Sequence, residues 1–144
     1  MSERAYKKPL PRVDEESRGW WEALQRHELS VQHCRDCGTV RLPPRAVCPE
    51  CMSGSVAWER ASGRAVVYSF TVTHQNQAPG FREELPYVLA IVELAEGPRI
   101  MTNLVECAPD DVRIGMPVEV VFDDVTLEVT LPKFRPTSRP RGAA

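Results

Sequence analysis

Four cysteines in two pairs, Cys34-Arg35-Asp36-Cys37 and Cys48-Pro49-Glu50-Cys51, are the residues whose type and spacing point most directly to chemistry. Each Cys-x-x-Cys presents two sulfurs to one ion, and the ten residues between the pairs suit a hairpin that brings them together. Four thiolates close the tetrahedral shell of Zn²⁺ and leave no position for water or substrate. The expectation is therefore one structural zinc ion, held by Cys34, Cys37, Cys48 and Cys51, that does no chemistry itself. His33, beside Cys34, is not needed as a ligand and reads as a structural neighbour. Gly38 follows the first pair, where a positive φ is often wanted, whereas Met52 stands at the matching place after the second. Arg35, Arg41 and Arg45 surround the cysteines. They could offset the formal charge of a four-thiolate site, or face solvent.

Outside the cysteine pairs, candidates for a nucleophile or a base are few. Cys107 has no nearby partner, and a lone cysteine at a strand end is most often a small buried apolar residue. His74 opens a loop with no carboxylate at a telling spacing, so an ordinary loop role outweighs an acid–base one. Asp110-Asp111 reads as a turn and helix cap, and Asp123-Asp124 as a hairpin turn. No catalytic residue is expected.

The chain has 144 residues, 42% hydrophobic and 26% charged, with a net charge of −2. That is a globular composition, enough for one ordinary domain or two small ones. The absent basic excess argues against nucleic-acid binding. No apolar run approaches the roughly 18 residues of a membrane span. The N-terminal stretch lacks the apolar core of a secretory signal, so a reducing cytoplasmic setting is expected, which favours zinc thiolate over disulfide.

In chain order, Pro9 and Pro11 among basic residues read as an extended arm. Asp14 is a candidate N-cap for a helix reaching about Glu28, weakened at Gly19 by roughly 1 kcal/mol. Its apolar residues Trp20, Trp21 and Leu24 either pack on the chain's own core or anchor a partner. Val56–Glu59 closes the cysteine ribbon. From Arg64 the period becomes two: Val66, Tyr68, Phe70 and Val72 on one face, assigned to an interior, against Val67, Ser69, Thr71 and Thr73. Residues 87–94 are apolar on both faces, and 99–105 pairs back as a hairpin. Two further strands follow at 118–122 and 127–131. Five strands in about 70 residues fit a small five-stranded barrel of the OB type, with a small sandwich as the alternative. Tyr68 and Phe70 facing inward would leave no stacking platform for single-stranded nucleic acid. The segment after Pro132, with Lys133, Arg135, Arg139 and Arg141, reads as an extended basic arm.

The assembled order is a helix with Trp, then QHCRDCGTVRLPPRAVCPEC, SGRAVVYSFTVTH, PYVLAIVELAEGPRIMTNLV, DDVRIGMPVEVVF and EVTLPKFRP. It resembles the DUF35 family of zinc-ribbon/OB-fold proteins associated with acyl-CoA enzymes, over roughly residues 14–136. The resemblance implies a mainly β chain: an N-terminal arm and helix (1–30), a rubredoxin-like zinc ribbon (31–61), a C-terminal five-stranded OB fold (62–132) and a basic tail (133–144). All four cysteines stand where the family's zinc ligands stand, and Met52 departs from the commoner glycine. The family supplies no catalytic residue to transfer. It implies a non-catalytic subunit bound to a thiolase-superfamily aldolase or thiolase, with acyl-CoA at or near the interface. Two copies of each chain are expected, with a steroid side-chain intermediate as the preferred acyl group. Trp20, Trp21 and Leu24 would dock the partner. Lys133, Arg135, Arg139 and Arg141 would contact the partner or the CoA phosphates. The alternatives are a hydratase or thioesterase component, alone or paired with a MaoC-type hydratase, and, more distantly, a single-strand nucleic-acid module.

Overall fold

The computed structural model describes residues 6–137. Helix α1 (Arg18–Gln25) leads into strands β1 (Ser30–Cys34), β2 (Val40–Arg41) and β3 (Val56–Arg60). These pair antiparallel in the order β2-β1-β3 and carry the cysteine pairs at one end. Strands β4 (Arg64–Thr73), β5 (Tyr87–Leu94), β6 (Arg99–Leu104), β7 (Pro117–Asp124) and β8 (Thr130–Pro136) follow. They close a barrel in the order β4-β5-β6-β8-β7, with β7 returning to β4 and β6 meeting β8 in parallel at Leu104–Phe134. Closure removes the sheet edges and rules in the OB-type barrel over the sandwich.

The helix is shorter than its sequence pattern indicates. The Asp14 carboxylate accepts hydrogen bonds from the Ser17 N–H at 2.8 Å and its hydroxyl at 2.7 Å. Asp14 thereby stabilises a turn before α1 instead of starting the helix. At the other end the Glu28 N–H reaches the Ala23 carbonyl and the His27 N–H reaches that of Leu24, each at 2.9 Å. This is the Schellman arrangement, with His27 in the left-handed position at φ +59°. Histidine there is uncommon, but its ring stacks on Phe122 (centroids 5.0 Å apart) and its Nε2 lies 2.9 Å from the Asp124 carboxylate. The Gln25 side chain donates to the Glu128 carbonyl at 2.6 Å. The helix end is thus tied to the β7–β8 hairpin.

Leu24, Leu29 and Val31 join Val67, Val92, Val118 and Phe134 in one core, so helix, ribbon base and barrel share an interior. Leu24 is 0% exposed. It therefore cannot touch a partner, and its assignment as a docking residue is corrected. Trp20 and Trp21 are half-buried and pack against the same core.

Two strand assignments change. A bulge between Val67 and Ser69 leaves Tyr68 out of register with β5. Before it, Ala65 and Val67 point inward; after it, Phe70 and Val72 do. An inserted residue shifts a period-two pattern by one. Val66 and Tyr68 therefore lie on the outside, with Tyr68 47% exposed. Near the C-terminus, β7 runs through Asp124, which pairs in register with Thr130, so Asp123-Asp124 is strand and not turn. Leu127, 82% exposed, sits in the hairpin turn. The last strand starts at Thr130 and continues through Lys133 and Arg135 to Pro136. Residues 133–136 thus close the barrel and are not a free arm. Prolines are tolerated there because only Leu104–Phe134 registers with β6, leaving the β6-facing side of β8 largely outside a ladder.

Candidate metal centre

The two cysteine pairs build turns with the same hydrogen-bond pattern. In the first, the Gly38 N–H donates to the Cys34 carbonyl at 3.0 Å and the Cys34 N–H to the Thr39 carbonyl at 2.9 Å. In the second, the Met52 N–H donates to the Cys48 carbonyl and the Cys48 N–H to the Ser53 carbonyl, both at 2.8 Å. Each turn needs a left-handed residue after its second cysteine: Gly38 at φ +80° and Met52 at φ +67°. Met52 adopts this without the freedom of glycine, and its side chain projects into solvent. The Ser53 hydroxyl donates to the Asp36 carboxylate and links the two turns.

The four sulfurs lie within 4.8 Å of one another. Cys34 and Cys51 are 3.6 Å apart at sulfur, as are Cys37 and Cys48. Tetrahedral zinc with bonds near 2.3 Å sets sulfurs about 3.8 Å apart, so the donor set fits this ion. Cys34 and Cys48 are buried, and Cys37 and Cys51 face outward. The Cys37 amide N–H, at 3.5 Å, helps lower Cys34 to about 6. The Ser53 backbone acts to lower Cys51, but burial and the other three sulfurs outweigh it and push that thiol up to about 12. The Thr39 hydroxyl, 3.1 Å from the Cys37 sulfur, lowers the Cys37 thiol. Bound zinc would hold all four as thiolates and fix the two turns together, a structural task.

The three arginines near the cysteines differ. Arg35 is exposed. Arg45 lies 3.7 Å from Glu16 and is a loose ion pair. Arg41 is only 7% exposed, and its guanidinium donates to the Arg45 carbonyl at 3.0 Å. It is not a solvated surface residue. His33 Nδ1 is 2.8 Å from the Glu59 carboxylate, across β1 and β3.

Other candidate residues are scattered. Cys107 lines a cavity of about 250 Å³ with Glu84, Asn103, Glu106 and Lys133, and His74 is not among its walls. Burial, then the Asp111 carboxylate, pushes the Cys107 thiol up, which opposes a nucleophilic role. His74 is exposed at the start of its loop. Lys133 pairs with Asp123 at 2.7 Å, and Arg135 with Glu119 at 3.2 Å and Glu106 at 3.4 Å. Both cations are therefore engaged on the barrel wall. Arg139 and Arg141 lie outside the described residues.

The sequence pattern missed the outer wall of β4, β5 and β6. There Tyr68, Leu89, Ile91 and Met101 form an apolar face, with Met101 67% exposed. Arg99 covers the Tyr68 ring at 3.8 Å and pairs with Glu93 at 3.0 Å. The signal was the period-two pattern of residues 87–94, apolar on both faces, but it reads as a buried strand until closure shows one face outside. Because Tyr68 points out, inward aromatics no longer argue against single-strand binding. The net charge still does, and Arg99, the cation over this ring, is already paired with Glu93.

Residues 21–57 match the family model for the ChsH2 rubredoxin-like zinc ribbon domain, and residues 58–123 that for the ChsH2 C-terminal OB-fold domain. A DUF35 domain-containing scaffold protein of Methanocaldococcus jannaschii is 44% identical over 107 residues, 73% of this chain and 74% of that protein. The chain belongs to the DUF35 family. A solved structure described as "Ltp2-ChsH2(DUF35) aldolase" contains a chain 43% identical to this DUF35 protein. The match has a TM-score of 0.83 and covers 90% of this chain and all of that one. Two longer relatives carry hydratase names. The "Probable enoyl-CoA hydratase alpha subunit" of Thermomonospora curvata is 44% identical over 131 residues, 90% of this chain. The 3-oxo-4,17-pregnadiene-20-carboxyl-CoA hydratase alpha subunit of Mycobacterium tuberculosis is 37% identical over 105 residues, 73% of this chain. This chain spans 40% and 33% of their lengths.

Proposed function

We propose that this DUF35 chain is a non-catalytic subunit that binds and stabilises a thiolase-superfamily aldolase acting on an acyl-CoA thioester. The observation that carries this reading is its likeness, along nearly its whole length, to the DUF35 chain of the solved aldolase. The surface supports it. Tyr68, Leu89, Ile91 and Met101 offer an apolar wall, edged by the Arg99–Glu93 pair, of the kind that protein partners cover. The half-buried Trp20 and Trp21 are a second candidate contact. One zinc per chain keeps the ribbon rigid beside these surfaces, and two copies flank an aldolase dimer. The steroid-type acyl group is favoured by the name of the mycobacterial relative.

The CoA-contact role narrows to Arg139 and Arg141, because Lys133 and Arg135 already hold carboxylates. Removing residues 138–144 leaves β8 whole and tests that role through the KM for acyl-CoA. Met101→Glu tests the docking wall. Partner affinity falls more than tenfold if the wall is covered in the complex, since a charge then enters a desolvated contact. Unchanged affinity refutes this surface.

The hydratase names favour a second reading, in which the chain pairs with a MaoC-type hydratase. Turnover of enoyl-CoA by a reconstituted hydratase pair, with no gain in aldol cleavage, would select it.

A further inference from the structure

Among the described residues, the N-terminal arm does not hang free. Lys8 ties it to the barrel. Its ammonium lies 2.7 Å from the Glu84 carboxylate and 5.0 Å from the centre of the Phe81 ring, and its side chain is only 11% exposed. Both partners sit on the loop between β4 and β5, residues 74–86. The backbone of Lys7 and Lys8 also runs against Gly80, where a Cβ would meet the Lys8 nitrogen at 3.1 Å and the Lys7 carbonyl carbon at 3.2 Å. Phe81 in turn packs on Tyr87 at the start of β5.

The polar part of the attachment is through side chains. Among the described residues, no backbone–backbone hydrogen bond joins residues 6–13 to the barrel. None of those residues enters the hydrophobic core. An arm held this way opens at little cost compared with any strand.

Beneath it lies a cavity of about 190 Å³ walled by Tyr6, Lys7 and Lys8 on the arm side and by Glu83, Glu84, Asp123 and Lys133 among others. The cavity beside Cys107 shares Glu84 and Lys133 with it. Lifting residues 6–8 removes one wall of the first cavity. Of the acidic residues around the two cavities, Asp123 is paired with Lys133, Glu106 with Arg135 and Glu83 with Arg82, so Glu84 is the carboxylate that release of Lys8 leaves without its partner. A freed Glu84 beside Phe81 favours a basic group over a phosphate.

We propose that residues 6–8 are a latch. Lys8 occupies an ammonium site made by Glu84 and Phe81 and holds the β4–β5 loop closed over the cavity, and its release frees that site for another cationic side chain. The latch stands on this chain's own contacts and is independent of the aldolase reading.

Amide hydrogen exchange in the loop tests it on the full chain with zinc. Lys8→Ala removes one partly buried ion pair and one cation–aromatic contact, so exchange across 78–86 should rise roughly five- to tenfold. Lys8→Arg keeps both contacts and should exchange like the wild type. Lys7→Ala, in the same cavity wall, should also exchange like the wild type. Raising the salt from about 50 to 500 mM should speed loop exchange in the wild type and leave Lys8→Ala unchanged. Unaltered exchange in Lys8→Ala would overturn the latch. So would an equal effect of Lys7→Ala, which would make it a matter of general charge. Unchanged zinc content and far-UV circular dichroism in each variant separate latch opening from unfolding.

Discussion

Gly19→Ala is a perturbation whose sign depends on one neighbour. In the middle of an exposed helix, alanine stabilises over glycine by about 0.8–1 kcal/mol. Here a Cβ on Gly19 would lie 2.7 Å from Trp58 Cε2 and 2.8 Å from its Nε1. Ordinary carbon contacts are about 3.5–4.0 Å, so the indole must retreat by roughly 1 Å. Trp58 sits on β3, opposite Gln32 of β1, so its backbone is fixed in the ribbon while its side chain is 37% exposed. Overpacking of this kind costs about 1–3 kcal/mol, so Gly19→Ala should destabilise by about 1 kcal/mol net. In a Trp58→Ala background the obstacle is gone, and the same change should stabilise by about 0.5–1 kcal/mol. The coupling energy of the double-mutant cycle is then about 2 kcal/mol. Urea unfolding followed by far-UV circular dichroism at saturating zinc measures it, because fluorescence would be confounded by loss of the indole. Equal effects of Gly19→Ala in both backgrounds would refute the close-approach account of this glycine.

Further outcomes follow from the same geometry. Met52→Gly should stabilise the zinc-bound protein by about 1 kcal/mol, because it relieves a left-handed non-glycine residue; a loss of stability would mean that the exposed side chain makes an unrecognised contact. A chelator in excess should remove one zinc per chain and unfold the ribbon, detected by metal analysis and circular dichroism; a ribbon unchanged after complete removal would contradict a structural metal. The Thr130 hydroxyl and His27 hold the Asp124 carboxyl below its usual range. A depressed carboxyl contributes stability at pH values above its unfolded pKa, near 3.9, and loses it as pH falls through the folded value. Asp124→Asn should thus cost about 1 kcal/mol at pH 7, with the difference from wild type fading below about pH 4. A deficit that stays undiminished as the pH falls below the lowered folded pKa would assign the loss to packing.

The four-cysteine cluster was legible from spacing, because Cys-x-x-Cys turns are local and two of them converge here. The barrel was legible in strand number and approximate place, because alternation survives in one dimension. What the pattern could not show was phase. One extra residue at Tyr68 reverses which face is interior, and nothing in Val66–Tyr68–Phe70–Val72 marks the insertion. The extent of β8 was hidden for a related reason. Pro132, Pro136 and the cations between them look like an unstructured arm, and only Asp123, Glu119 and Glu106 on neighbouring segments explain them. The helix end at His27 lacked the usual glycine because tertiary contacts with Phe122 and Asp124 hold it. The Lys8 contact joins residues 76 apart in sequence, beyond the reach of any local signal.

The account rests on the chain being a binding partner and not an enzyme. The aldolase from the same genome that most resembles the aldolase chain of the matched complex should be co-expressed with this protein. Sedimentation equilibrium of the purified mixture then measures whether a complex forms. The account predicts a stable assembly of two copies of each chain, and no acyl-CoA turnover by the DUF35 chain alone. Separate sedimentation of the two proteins, or turnover of enoyl- or acyl-CoA by the isolated chain, would contradict it.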